Sequence, residues 1–223
     1  LRIWWFTFDS DVREWVGYEG VNFAPSIWED GEGWRLLSSG FLHLDTGHIL
    51  LNMLWLAYAG SAIERTLGRL NLLTLYVGSV MGGALLSMLL KPETSSLGAS
   101  GGVFGLIAAV TLFGFTHPDA LPRNVRRFFG MAMLPYLVLM FASGLTSPNT
   151  DNWAHFGGLI TGLLLVVLLA PPSAGRSLTR NRVVAAAVAA VTLLLTLTPA
   201  FVGPSVQPIA DHVVVRNNQP GNT

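Results

Sequence analysis

Apolar residues in this chain fall into long blocks with few polar interruptions, and several stretches of about 20 residues contain no Lys, Arg, Asp or Glu. Each helical residue advances about 1.5 Å and the hydrocarbon layer of a bilayer is about 30 Å thick, so such blocks are read as membrane-crossing helices. The pattern predicts six spans. The first runs from about Gly47 to Ile63 and is closed by Glu64-Arg65; the second runs from Leu70 to Leu90 and is closed by Lys91-Pro92. The third covers Leu97 to Thr116, and the fourth Phe128 to Leu145, where Pro135 is expected to kink the helix. The fifth covers Trp153 to Ala170, stopped by Pro171-Pro172, and the sixth Val183 to Val202.

The remaining segments have a different character. Residues 1–47 carry Trp4, Trp5, Trp15, Trp28 and Trp34 among acidic residues, the pattern of an extracytoplasmic or interfacial loop. Residues 48–170 form the expected core, 171–182 an Arg-rich loop, 183–202 an additional span, and 203–223 a polar tail expected to be poorly ordered. Leu1 to Phe8 is apolar but too short to span a bilayer, and we expect an upstream span to be missing from this sequence.

Composition supports the membrane class: 51% of the 223 residues are hydrophobic and 12% charged, where soluble domains carry about 25% charged residues. Mean hydropathy is +0.51. The net charge is zero, which gives nucleic acid no electrostatic footing as a partner. There is no cysteine, so disulfide and thiol chemistry are excluded. One Lys against twelve Arg hints at a GC-rich bacterial genome.

Charge position sets an expected orientation. Arg65 and Arg69, then Arg123, Arg126 and Arg127, then Arg176, Arg180 and Arg182 lie in alternate loops, whereas the loops between them carry only Lys91. The positive-inside rule makes the Arg-rich loops cytoplasmic. His48, Ser100 and His155 then fall near the outer ends of three different spans, at a common depth.

Polar groups at membrane depth cost free energy unless they are paired or wetted, so these positions need a reason. Ser100 sits in Gly98-Ala99-Ser100-Gly101, and Gly101 and Gly105 form a smooth helix face. Ala154, Gly158 and Gly162 recur every four residues beside His155. Packing of the two faces would bring the imidazole to the hydroxyl, as base to nucleophile. The alternative is a small-residue packing face with an incidental Ser, and a structural His bonded to a backbone carbonyl. His48 and Asn52, four apart, share one helix face and both can donate hydrogen bonds, which suits an oxyanion together with the Ser100 amide. His43 is read as a supporting or structural group. Metal ligation by His48 and His155 lacks any acidic or thiol ligand within the spans, so no metal site is expected.

Three of these motifs resemble those of the rhomboid family of intramembrane serine proteases: Gly98-Ala99-Ser100-Gly101, His48-Ile49-Leu50-Leu51-Asn52 and Ala154-His155-Phe156-Gly157-Gly158. Trp34-Arg35 resembles the Trp-Arg pair of that family's first extracytoplasmic loop. The resemblance covers about Trp34 to Ala170, roughly three-fifths of the chain. It implies an all-α polytopic bundle of the six-plus-one type, without cofactor, in a bacterial plasma membrane, with the site open to the extracytoplasmic side. It implies a Ser100–His155 dyad without an acidic third member, an oxyanion site of His48, Asn52 and the Ser100 amide shaped by Gly98, and Phe104 packed beneath His155 where many bacterial members have Tyr. The implied partners are the lipid bilayer and single-span membrane proteins, cut near the outer face. A family member that binds transmembrane helices without cutting them is the alternative. A transporter is the third reading, although such proteins more often show broken helices or a midplane acid.

Overall fold

The computed structural model describes residues 20–118, 130–147, 150–169 and 177–202. The Trp4–Trp15 region and Leu1 to Phe8, the Arg123, Arg126 and Arg127 loop, residues 171–176 and the tail from Gly203 lie outside the described residues.

Eight α-helices make up the described residues: α1 (Ala24–Trp28), α2 (Arg35–Ser38), α3 (Thr46–Leu67), α4 (Arg69–Leu90), α5 (Ser100–Thr116), α6 (Leu134–Thr146), α7 (Asn152–Leu168) and α8 (Ser177–Val202). A 3-10 turn, Ser39–Phe41, follows α2, and another, Gly130–Met133, leads into α6. Strand pairing among them is limited to one isolated antiparallel bridge, Asn22 with Ser96, whose two N–H···O bonds are both 2.9 Å. It ties the segment before α1 to the α4–α5 loop. The architecture is therefore all-α.

Side-chain chemistry fixes the helix ends. Asp45 caps α3 by accepting the His48 amide, and Gly68, at φ +89°, turns the chain directly into α4. Asp151 caps α7 by accepting the amides of Trp153 and Ala154. Pro135 does not kink a span: it stands in the first turn of α6, where its missing N–H removes no intrahelical bond. Helix α8 begins ahead of the expected Val183 start and takes in Arg180 and Arg182. Arg side chains tolerate a helix end, where the charge can leave the apolar layer.

At the centre lies α5, packed by α3, α4, α6 and α7. Its Phe104, Leu106, Ile107 and Phe113 are fully buried. Glycine lets the backbones meet. A Cβ on Gly158 would collide with the Gly101 carbonyl of α5, and one on Gly157 with the Gly82 carbonyl of α4. The predicted small faces are thus the α5–α7 seam, and α4 shares it. A second cluster, Ala24, Ile27 and Leu36 on Met81, Ala84 and Met88, seats α1 and α2 on α4.

The outer surface is apolar. Leu50, Leu51 and Leu54 of α3, Leu73 of α4, Val138 and Leu139 of α6, and Leu164 and Val167 of α7 are all more than 60% exposed. Such a belt is costly in water and is what a lipid-facing bundle presents. Among the described residues, two helices are long and apolar enough to cross a bilayer by length and composition alone: Arg69–Leu90 and Leu178–Leu197. The 22-residue α3 also carries His48, Asn52, Glu64 and Arg65, and the central α5 and peripheral α7 have 17 residues each.

Candidate active site

Ser100 is the first residue of α5. The turn into that helix passes through Gly98 at φ +131°, a conformation that side chains with a Cβ rarely adopt. A Cβ there would also stand 2.9 Å from Nε2 and Cε1 of His48. Glycine is therefore required twice over, by backbone and by space. The Gly98 N–H is anchored to the Ser39 carbonyl at 2.9 Å. Intrahelical bonding begins with the Val103 amide donating to Ala99 O at 3.0 Å. The amides of Ser100, Gly101 and Gly102 thus belong to the helix N-terminus, where N–H groups and the helix dipole favour negative charge.

His155 lies in the first turn of α7, three residues before the Gly158–Gly101 contact. That seam delivers its Nε2 to 2.8 Å from Ser100 Oγ. The ring stacks on Phe104, with centroids 4.2 Å apart and planes inclined by 16°. Its Nδ1 is buried without a hydrogen-bond partner among the described residues. Ser100 and His155 thus form a hydrogen-bonded pair, with no carboxylate on the far nitrogen among the described residues.

His48 and Asn52 stand on the same face of α3 and line the same cavity, of about 220 Å³, as Ser100, His155 and Gly98. His48 Nδ1 accepts the Leu44 amide at 3.5 Å, which assigns the proton to Nε2, the edge against Gly98. His48 therefore presents a donor. Asn52 is 4% exposed and its Nδ2 has no acceptor among the described residues. An unsatisfied buried donor beside a nucleophile is expensive to keep, and is available to an oxygen that becomes negative. His43 packs edge-on against His48, with ring centroids 5.0 Å apart. Burial foremost, and then the neighbouring His48, hold its imidazole down at about 4, so it is neutral at pH 7.

Sequence-predicted residues divide into three groups. Ser100, His155, His48, Asn52, Gly98, Phe104 and His43 converge. Gly101, Gly105 and Gly158 lie in the α5–α7 seam and set its spacing. Trp34 and Arg35 stand apart from the dyad: Arg35 is buried, forms an ion pair with Glu32 at 2.5 Å, and lies over the half-exposed Trp34 ring at 5.1 Å. No group of three or more His, Cys, Asp or Glu able to hold a metal occurs among the described residues.

Several cavity residues escaped the sequence reading, notably Asp151, Ser39 and Asn22. Asp151 had a signal: an Asp just ahead of an apolar helical block is an N-cap signature. Asn22 and Ser39 had none, because loop closure alone brings them there.

Known proteins place these features in context. Residues 30–172 match the family described as Rhomboid domain. RHOMBOID-like protein 4 of Arabidopsis thaliana is 40% identical over 154 residues, covering 67% of this chain and 38% of the relative. Rhomboid protease GluP of Bacillus subtilis (strain 168) is 31% identical over 150 residues, covering 67% of this chain and 29% of that protein. Rhomboid-like protease 3 of Toxoplasma gondii is 30% identical over 149 residues, covering 66% and 55% respectively. The aligned region thus spans between about a third and about half of each relative's length.

Proposed function

The chain belongs to the rhomboid family of multi-pass membrane proteins, and from that premise we propose that it is an intramembrane serine endopeptidase working through Ser100 and His155. The observation that carries this reading is the 2.8 Å approach of His155 Nε2 to Ser100 Oγ inside a cavity that also holds the Asn52 and His48 donors. His155 removes the hydroxyl proton as Ser100 attacks the scissile carbonyl, and returns it to the leaving amine. The new oxyanion is met by the Ser100 amide, His48 Nε2 and Asn52 Nδ2, while Gly98 leaves room for it. Water then hydrolyses the acyl-enzyme through the same base.

The proposed substrates are single-span membrane proteins, cut near the outer face. A helix hides its carbonyls in its own hydrogen bonds, so the cut segment must unwind, and Gly or Pro near the site eases that step. The 17 residues of α5 extend about 25 Å, less than the hydrocarbon thickness, which favours a recessed Ser100 reached by water from one side. The Arg distribution supports the exterior as that side, and the proposed location is a bacterial plasma membrane.

The test is labelling of detergent-solubilised protein with a fluorophosphonate probe, alongside cleavage of a model single-span substrate, comparing wild type with Ser100→Ala. Labelling and cleavage that both vanish in the variant are expected. Wild type that neither labels nor cuts overturns the protease reading in favour of a helix-binding protein.

A further inference from the structure

A Ser–His–acid site orients its imidazole through a carboxylate on the far ring nitrogen. Here that nitrogen, His155 Nδ1, has no partner among the described residues, and the ring is held by Phe104 and by Ser100 alone. Yet a carboxylate lies one helical turn away. Asp151 lines the cavity and makes four hydrogen bonds, all directed at the start of α7 or at its neighbour. Oδ1 accepts the Trp153 amide at 3.0 Å and the Ala154 amide at 3.1 Å. Its backbone oxygen accepts the His155 amide at 3.2 Å. Oδ2 accepts the hydroxyl of Ser87, a buried residue of α4, 64 positions away in sequence.

We propose that Asp151 and Ser87 form a clamp that positions His155 through its backbone, taking the place of a carboxylate on the imidazole. The inference rests on the protease reading. Three of the four bonds fix the backbone from Trp153 to His155, and the fourth attaches it to a different helix. That attachment matters because α4 and α7 touch through glycine: a Cβ on Gly83 would stand 2.6 Å from the Ala154 carbonyl. Such a smooth seam has little side-chain interlocking to resist sliding along the helix axis. The Ser87 hydroxyl supplies a directional stop at the outer end, in the layer where the dyad lies. With the helix start fixed, the Phe104 face is enough to set the ring plane. The carboxylate thus orients the base without bonding to it, and its charge is not what the mechanism needs.

Three variants test this: Ser87→Ala, Asp151→Ala and Asp151→Asn. Asn keeps an Oδ1 for the two amides, and its Nδ2 can donate to the Ser87 oxygen once the hydroxyl rotates. Steady-state cleavage of a model substrate should show kcat lowered about tenfold in Ser87→Ala and about a hundredfold in Asp151→Ala, with KM unchanged in both. Asp151→Asn should recover most of the lost turnover. Loss in Asp151→Asn equal to that in Asp151→Ala would show that the charge acts directly, and overturns the clamp. Unchanged kcat in Ser87→Ala overturns it as well.

A second measurement needs no turnover. In protein labelled with ¹⁵N-histidine, His155 ring signals should be single and sharp in wild type, doubled or broadened in Ser87→Ala and Asp151→Ala, and restored in Asp151→Asn. Ring signals unaltered by both alanine variants overturn the inference whatever the activity. Wild type without Ser100-dependent labelling overturns the protease reading instead, so the two failures are distinct. Ser87→Ala removes one hydroxyl from a packed site, and keeps the test decisive if Asp151→Ala does not fold.

Discussion

Gly158→Ala should pull His155 away from Ser100 and cost the fold stability as well. The added Cβ would fall on the Gly101 carbonyl oxygen, 2.6 Å from its carbon and 2.9 Å from the Gly101 Cα. Backbone cannot rotate aside as a side chain can, so α7 must retreat from α5. Bringing the carbonyl oxygen, 2.0 Å from the new Cβ, out to an ordinary 3.4 Å requires a shift of about 1.4 Å. His155 is three residues away on the same helix and moves with it. The 2.8 Å bond to Ser100 would then stretch to as much as about 4.2 Å, which is no longer a hydrogen bond. A misplacement of this size costs about 10²-fold in rate. Overpacking costs about 1–3 kcal/mol, against which alanine returns about 1 kcal/mol of helix propensity. Turnover should therefore fall by about 10²-fold, and the melting temperature should fall with it. The assay is cleavage of a model substrate together with fluorophosphonate labelling and a thermal melt. Gly60→Ala is the control, because its Cβ would meet Leu72 at an ordinary 3.5 Å. A Gly158→Ala enzyme that cuts at the wild-type rate would refute the claim that the glycine seam sets the dyad distance.

Asn52→Ala should lower kcat by about 10²–10³ while His155→Ala abolishes turnover, since one oxyanion donor among several is lost; equal abolition would contradict the role given to Asn52. Gly98→Ala should reduce labelling and cleavage together, because the new methyl strains the backbone and displaces His48; retention of full labelling would show that neither constraint matters. Phe104→Leu should lower kcat about tenfold with little change in KM, as the imidazole loses the flat face that fixes its plane. Arg69→Ala removes an exposed 2.7 Å ion pair with Glu64 and should change the melting temperature negligibly, so a large drop would mean the α3–α4 turn relies on it.

Much of the site was legible because its chemistry is locally encoded. Ser100, His155, His48 and Asn52 each stand out as polar residues in apolar blocks, and helical periodicity puts His48 and Asn52 on one face. Likewise, four-residue spacing of Gly and Ala predicts the α5–α7 seam. Pro135 was misread because a proline in an apolar block marks either a kink or a helix start, and hydropathy does not distinguish them. α8 reaches past the expected span because hydropathy measures transfer to lipid, whereas a helix continues through any residue whose backbone bonds are made. Asp151 was missed because a cap acts through geometry, and its bond to Ser87 joins positions far apart in sequence.

By itself the sequence determined which residues are apolar enough to form helices, where small side chains permit close approach, and which polar groups lie near helix ends. These properties follow from single residues and from the 3.6-residue repeat. Only the tertiary structure decided that Ser100 Oγ meets His155 Nε2 at bonding distance, that His48 turns a donor toward Gly98, and that the orphan donor of Asn52 shares their cavity. Such distances depend on how far glycine backbones on different helices interpenetrate, and that is a property of the packed bundle, to which every helix contributes.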